Sequence, residues 1–126
     1  KVSKISITNL EEAPWLSKNV KDGLTTGAQI VGDADSSDLC AFIMHLAPGY
    51  ETELHSHSED EVMYVLEGEI RMGRRVLGPE SILVIRKDSQ YKFTVGNEGA
   101  RFLNIRPGVT EYQPVERKQE GEKPKQ

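Results

Sequence analysis

Residues 49–68 read GYETELHSHSEDEVMYVLEG, and this stretch decides how the chain is understood. His55 and His57 are two apart, and in an extended strand side chains two apart point to one face. Glu61 follows His57 by four residues, which along one straight strand is roughly 13 Å, too far to share an ion. Ser58-Glu59-Asp60 reads as a polar loop that reverses the chain. The reversal predicts Glu61 on the neighbouring strand opposite His57, with Cβ atoms about 5 Å apart. Two imidazoles and one carboxylate are the donor set of open-sided Fe, Mn or Zn sites. Met63 and Val65 share the parity of Glu61, so the acid heads an otherwise apolar face. A carboxylate without a partner is costly there, and a cation would relieve the cost. Gly49 after Pro48 and Gly68 after Glu67 bracket the stretch as turn residues. The plainer alternative is a surface His-x-His pair that binds nothing.

Outward from this stretch the pattern is β-like. Residues 24–31, 39–47, 61–66, 69–72, 82–85, 91–95 and 101–106 are short runs cut by turn residues such as Gly32-Asp33, Pro48-Gly49 and Pro107-Gly108. With no long 3.6-residue period, they predict an all-β sandwich or barrel built of antiparallel hairpins. A parallel sheet would need crossover helices that the sequence lacks. Residues 5–7 read as a further short strand, and residues 11–15 as a bend pinned by Trp15. From Gln113 to Gln126 the chain runs QPVERKQEGEKPKQ, with Val115 as its only aliphatic residue. That is too little apolar area to offset ordering. The expected organisation is one domain over residues 1–112, with an N-terminal strand extension, and a disordered tail over residues 113–126.

Composition narrows the function classes. The 126 residues carry a net charge of -4, with a pI near 5.4 and 29% charged residues. An unaided nucleic-acid binder normally presents a basic surface, so that class is disfavoured. No stretch approaches the roughly 18 apolar residues of a membrane span. Cys40 is the single cysteine, which excludes an internal disulfide and suits a reducing compartment. The expected location is cytoplasmic.

Gly49, His55, His57, Glu61 and Gly68 match, spacing for spacing, the first signature motif of the cupin superfamily. The chain therefore resembles a small single-domain cupin over about residues 23–108. The resemblance implies a cupin-type double-stranded β-helix, a jelly-roll barrel, with one divalent metal ion (Fe, Mn, Zn, Ni or Cu) held inside by His55, His57 and Glu61. The second family motif is degenerate. In its nearest register Glu80, Arg86 and Asp88 replace glycine, proline and glycine, Val95 replaces asparagine, and Tyr91 stands where the fourth ligand, a histidine, is usual. Tyr91 has three readings: its hydroxyl donates to a metal-bound water or substrate, its phenolate binds the metal, or it fills the barrel bonded to a backbone group. The function this implies is a metal-dependent enzyme acting on a small organic molecule. A dioxygenase-like oxidoreductase comes first, an isomerase, lyase or decarboxylase next, and Tyr91 and Glu61 are the catalytic candidates. The rival is a non-catalytic small-molecule binding or sensing cupin, and a metal-free assembly module is a third reading. The expected partners are a small-molecule substrate or ligand and a second copy of the chain as a homodimer, without nucleic acid or membrane.

Other residues carry less. Cys40, Phe42 and Met44 form the bulkier parity of their run, which turns His45 outward. Cys40 reads as a buried small hydrophobe. Arg71, Arg74 and Arg75 surround Gly73 as a hairpin tip. Phe102, Asn104 and Arg106 share one parity. If that face is inward, Asn104 or Arg106 could hold a substrate carboxylate; if outward, the pocket is largely apolar. Glu51, Glu53, Glu59 and Asp60 read as solvated loop charges.

Overall fold

The large sheet opens with a turn at Asp22-Gly23, whose φ angles are 54° and 77°. Positive φ at both central residues is the hairpin geometry that matches strand twist. It joins β1 (Trp15–Lys21) to β2 (Leu24–Val31), with Lys21 opposite Leu24. The computed structural model describes residues 4–116. Beyond β2, β3 (Leu39–Leu46) pairs with β2, and β8 (Thr94–Pro107) pairs with β3. β5 (Glu61–Met72) lies on the other side of β8. Both β6 (Arg75–Leu77) and β7 (Ile82–Ile85) pair with β5. These seven strands form one sheet, and every pairing is antiparallel. A second sheet consists of β4 (His55–His57) and β9 (Tyr112–Pro114). The one helical element among the described residues is a 3-10 turn at Leu10–Glu12, capped by Asn9, whose side chain accepts from the Glu11 amide at 2.9 Å. The fold is all-β. No helix among the described residues is long and apolar enough to cross a membrane.

The main core is Met63, Val65, Ile70, Phe93, Val95, Ala100 and Phe102, and Ile30, Cys40 and Phe42 form a smaller buried cluster. Cys40 is a buried free thiol, as its parity predicted.

Several boundaries differ from the sequence reading. Residues 61–66 and 69–72 are one strand, β5, and the break expected at residues 96–99 lies inside β8. The glycines responsible mark irregular register rather than chain reversal. The β5–β8 register shifts between Val65 and Glu67 and between Gly68 and Ile70, and Gly68 has φ +75°. A Cβ on Gly68 would collide with the Gly99 carbonyl, so this crossing of two strands requires glycine. At the N-terminus residues 5–7 form no strand, and Trp15 begins β1 instead of a bend. At the other end Gln113 and Pro114 belong to β9, and the Val115 amide donates to the Leu54 carbonyl at 3.0 Å. Pairing with β4 thus carries the ordered chain past residue 112. Residues 117–126 of the expected tail lie outside the described residues.

Candidate functional site

The histidine strand is held from both edges. On one, His55, Ser56 and His57 stand opposite Pro114, Gln113 and Tyr112. On the other, the His55 amide donates to the Tyr91 carbonyl at 3.0 Å and the Tyr91 amide returns a bond to the His55 carbonyl at 2.8 Å. Glu61 begins β5, where its cross-strand partner is Ile85. The chain does reverse at residues 58–60, but Glu61 and His57 are not ladder partners as expected. Their strands belong to different sheets, and the side chains approach across the interior, His57 Nε2 lying 3.7 Å from Glu61 Oε2.

His55 is buried, and its Nδ1 lies 2.7 Å from the Glu53 carbonyl oxygen. A carbonyl only accepts, so Nδ1 carries the proton and Nε2 keeps its lone pair. The two histidine rings have centroids 5.0 Å apart at 85°. Tyr91 packs 4.5 Å from the His55 ring, and Tyr112 stacks on it at 4.9 Å and 26°. The Tyr112 hydroxyl donates to Glu53 Oε2 at 2.8 Å. Burial first, then the bond to Glu53, pushes that phenol up to about 12.

Glu61 is 4% exposed. Asn104 Nδ2 donates to its Oε1 at 2.7 Å, and the Tyr91 hydroxyl donates to its Oε2 at 2.9 Å. The premise of a partnerless interior carboxylate is therefore corrected: two neutral donors already satisfy it. Tyr91 is bonded to this acid rather than to a backbone group. Burial, followed by the charge of Glu61, holds its phenol well above the ordinary range, which keeps it a donor and disfavours phenolate.

The parity of Phe102, Asn104 and Arg106 points inward, with Phe102 and Asn104 both buried. Arg106 Nε donates to Asn104 Oδ1 at 3.1 Å, which fixes the amide so that its nitrogen faces Glu61. Arg106 Nη1 donates to the carbonyls of Pro107 and Gly108 at 3.0 and 3.1 Å, and the guanidinium lies 4.1 Å over the Phe42 ring.

His57 is the unsatisfied member. Its Nδ1 is buried with no hydrogen-bond partner among the described residues, and the 3.7 Å approach of Nε2 to Glu61 is too long for one. Burial chiefly, helped by His55 and Arg106 and opposed by Glu61, lowers its pKa and favours neutral imidazole. As placed, no three His, Cys, Asp or Glu side chains among the described residues stand close enough together to hold an ion.

The sequence reading brought His55, His57, Glu61 and Tyr91 to one place, and the structure places them there. His45 lies elsewhere, 2.7 Å from Gln29 Oε1 and 4.8 Å from the Trp15 ring. Glu53 and Asp60 are more than solvated charges: Glu53 anchors Tyr112, and Asp60 accepts from the Lys87 amide at 2.8 Å. The role of Tyr112 was missed, its only signal being an aromatic residue at the head of a polar segment.

Comparison with known proteins agrees with this architecture. The family model described as "Cupin domain" matches residues 42–106. No curated protein matches the sequence. The polyketide cyclase RemF from Streptomyces resistomycificus is similar in structure, with a TM-score of 0.64 and 21% identity over 88% of this chain and 85% of that one. A single-residue variant of oxalate decarboxylase from Bacillus subtilis gives a TM-score of 0.65 and 21% identity over 91% of this chain but 33% of that one. A chain from the complex of Rhodobacter sphaeroides SigE with the anti-sigma ChrR gives 0.57 and 17% over 78% of this chain, which spans about half (51%) of that chain's length. At these identities the likeness is one of fold. The family match spans more than half of the 126 residues and takes in His55, His57, Glu61 and Tyr91, and by it the chain belongs to the cupins.

Proposed function

We propose that this cupin holds one divalent metal ion through His55, His57 and Glu61 and acts on a small organic molecule inside the barrel. The observation that supports this reading is His57, an inward imidazole with no hydrogen bond at either ring nitrogen among the described residues. The nitrogen that faces the acid is Nε2, 3.7 Å from Glu61 Oε2, and its lone pair is open to an ion placed between the two side chains. The donor set fits a cation. His55 has a free Nε2 because Glu53 fixes its tautomer. Glu61 keeps lone pairs open beyond those that accept from Asn104 and Tyr91. When bound, such an ion supplies Lewis acidity toward a substrate oxygen. Asn104 sets the rotation of the Glu61 carboxylate, and Tyr91 holds a proton at Oε2, within reach of a ligand that approaches the acid. Met63, Phe93 and Phe102 wall the interior and exclude water. Dioxygenase-like oxidation is the first reaction class of this reading, and isomerisation, elimination or decarboxylation the next. A homodimer in the cytoplasm belongs to the same proposal.

One feature favours the rival, a binding or sensing cupin without turnover. Tyr91 occupies the place of the fourth ligand and spends its hydroxyl on Glu61. Element-specific analysis of freshly purified protein, then anaerobic reconstitution and oxygen-uptake assays with aromatic and keto-acid substrates, separates the readings. One metal per chain that falls to background in His57→Ala is expected. A metal-free protein that stays metal-free on reconstitution overturns the metal centre. Binding without turnover leaves the sensing reading.

A further inference from the structure

Arg106 is a cation with no ion-pair partner among the described residues. Arg71 and Arg101 pair with Glu69 and Glu67 at 2.6 and 2.7 Å, but no carboxylate lies within 4.0 Å of Arg106 among the described residues. Its three bonded donors all go to neutral acceptors, the Asn104 amide and the carbonyls of Pro107 and Gly108. A guanidinium has five N–H donors. Nε uses one and Nη1 two, so both donors of Nη2 are without a partner among the described residues. Phe42 covers one face of the group and holds its plane. Asn104 stands between it and Glu61, whose charge acts on the guanidinium without touching it.

This charge sits among the site residues. Asn104 links it directly to Glu61, whose other oxygen is bonded to Tyr91. A half-buried cation with open donors is stabilised by an anion that reaches those donors. We infer that Arg106 anchors an anionic group of the ligand, a carboxylate by its planar two-oxygen shape, beside His57 and Tyr91. The substrate or ligand class is then a small organic acid, and the inference rests on the reading of the barrel interior as the ligand site. The backbone carbonyls and Phe42 hold the guanidinium in advance, so little ordering is left for the moment of binding.

Acetate and acetamide have nearly the same shape and differ in charge. Each is titrated into chelator-treated protein while the Arg106 Nε–H resonance is followed by nuclear magnetic resonance. Acetate is expected to shift that resonance and to bind on the order of tenfold tighter than acetamide. Arg106→Gln should abolish the preference, and Arg106→Lys, which keeps the charge without the fork, should keep part of it. Equal binding of the two probes, or a preference for acetate that persists in Arg106→Gln, overturns the assignment. Should Arg106→Gln fail to fold, the contrast between probes and the position of the shifts in the unmutated protein decide alone. Metal analysis of the same batch, before chelation and after reconstitution, separates the two proposals. A chain that never takes up metal yet prefers acetate keeps Arg106 and loses the metal centre, and a metal-binding chain indifferent to charge does the reverse.

Discussion

Glu61 is where the polar interior converges, and its two donors differ in what they add. Tyr91→Phe removes one donor and leaves a ring of the same shape. Asn104→Leu removes the other and also strips Arg106 Nε of its acceptor. Leaving these groups unpaired should lower unfolding free energy by about 1–3 kcal/mol for Asn104→Leu and by less for Tyr91→Phe. Urea denaturation checks this, and an Asn104→Leu protein as stable as the original would show that the network adds nothing. The two losses should not sum in the double variant, because both act through one carboxylate. At this scale the sequence was informative where the signal was local. The spacing of His55, His57 and Glu61 depends on one loop, and the register of Tyr91 on one motif. Asn104 and Arg106 shared a visible parity, but which side of the strand faced in depended on pairing with β3 and β5, whose residues lie some forty positions or more away. The stacking of Tyr112 on His55 likewise joins positions far apart in the chain, and no local pattern announces it.

Among the elements, the long strands were the hardest to read. Glycine normally punctuates, yet Gly68 lies in the middle of β5 because the strand must pass close to the Gly99 carbonyl. Gly68→Ala should therefore destabilise strongly, by more than the roughly 1 kcal/mol of an ordinary glycine in an unstrained setting. Thermal melts of Gly68→Ala beside Gly73→Ala separate the effects, since the hairpin glycine has positive φ but open space around its Cβ. The first hairpin was legible from Asp22-Gly23, and overlooking that dipeptide hid β1. The edge strand β9 is short and polar, so composition assigned most of it to the tail, whereas its order comes from pairing. A chain ending at Glu111 should lose the ladder to β4 and the ring over His55. Its His55 to His57 amides should then exchange hydrogen faster, while those of β3 and β8 keep their protection.

For the molecule as a whole, acid is the informative stress. Burial chiefly, with help from Arg101, lowers the pKa of His45 below 6.5, against a smaller opposing pull from Glu67. Gln29 donates its Nε2 to the carbonyls of Leu10 and Ala13, so its Oε1 must accept from His45 Nε2. The folded protein thus prefers neutral His45, protonated on Nε2. Below about pH 6.5 the unfolded chain binds a proton more readily than the folded one, so stability should fall as pH drops through the ordinary value toward the folded one. His57, also lowered, adds in the same direction. Denaturant midpoints between pH 7 and 5 should decline, and His45→Gln should flatten part of that slope. A midpoint independent of pH over that range would contradict it. The two-sheet arrangement also has a consequence for biosynthesis. Every strand of the large sheet has been made once Pro107 is added, but the histidine strand lacks its clamp until Tyr112 to Pro114 follow. The β4 edge that carries His55 and His57 is therefore completed only after the whole scaffold around it has been synthesised.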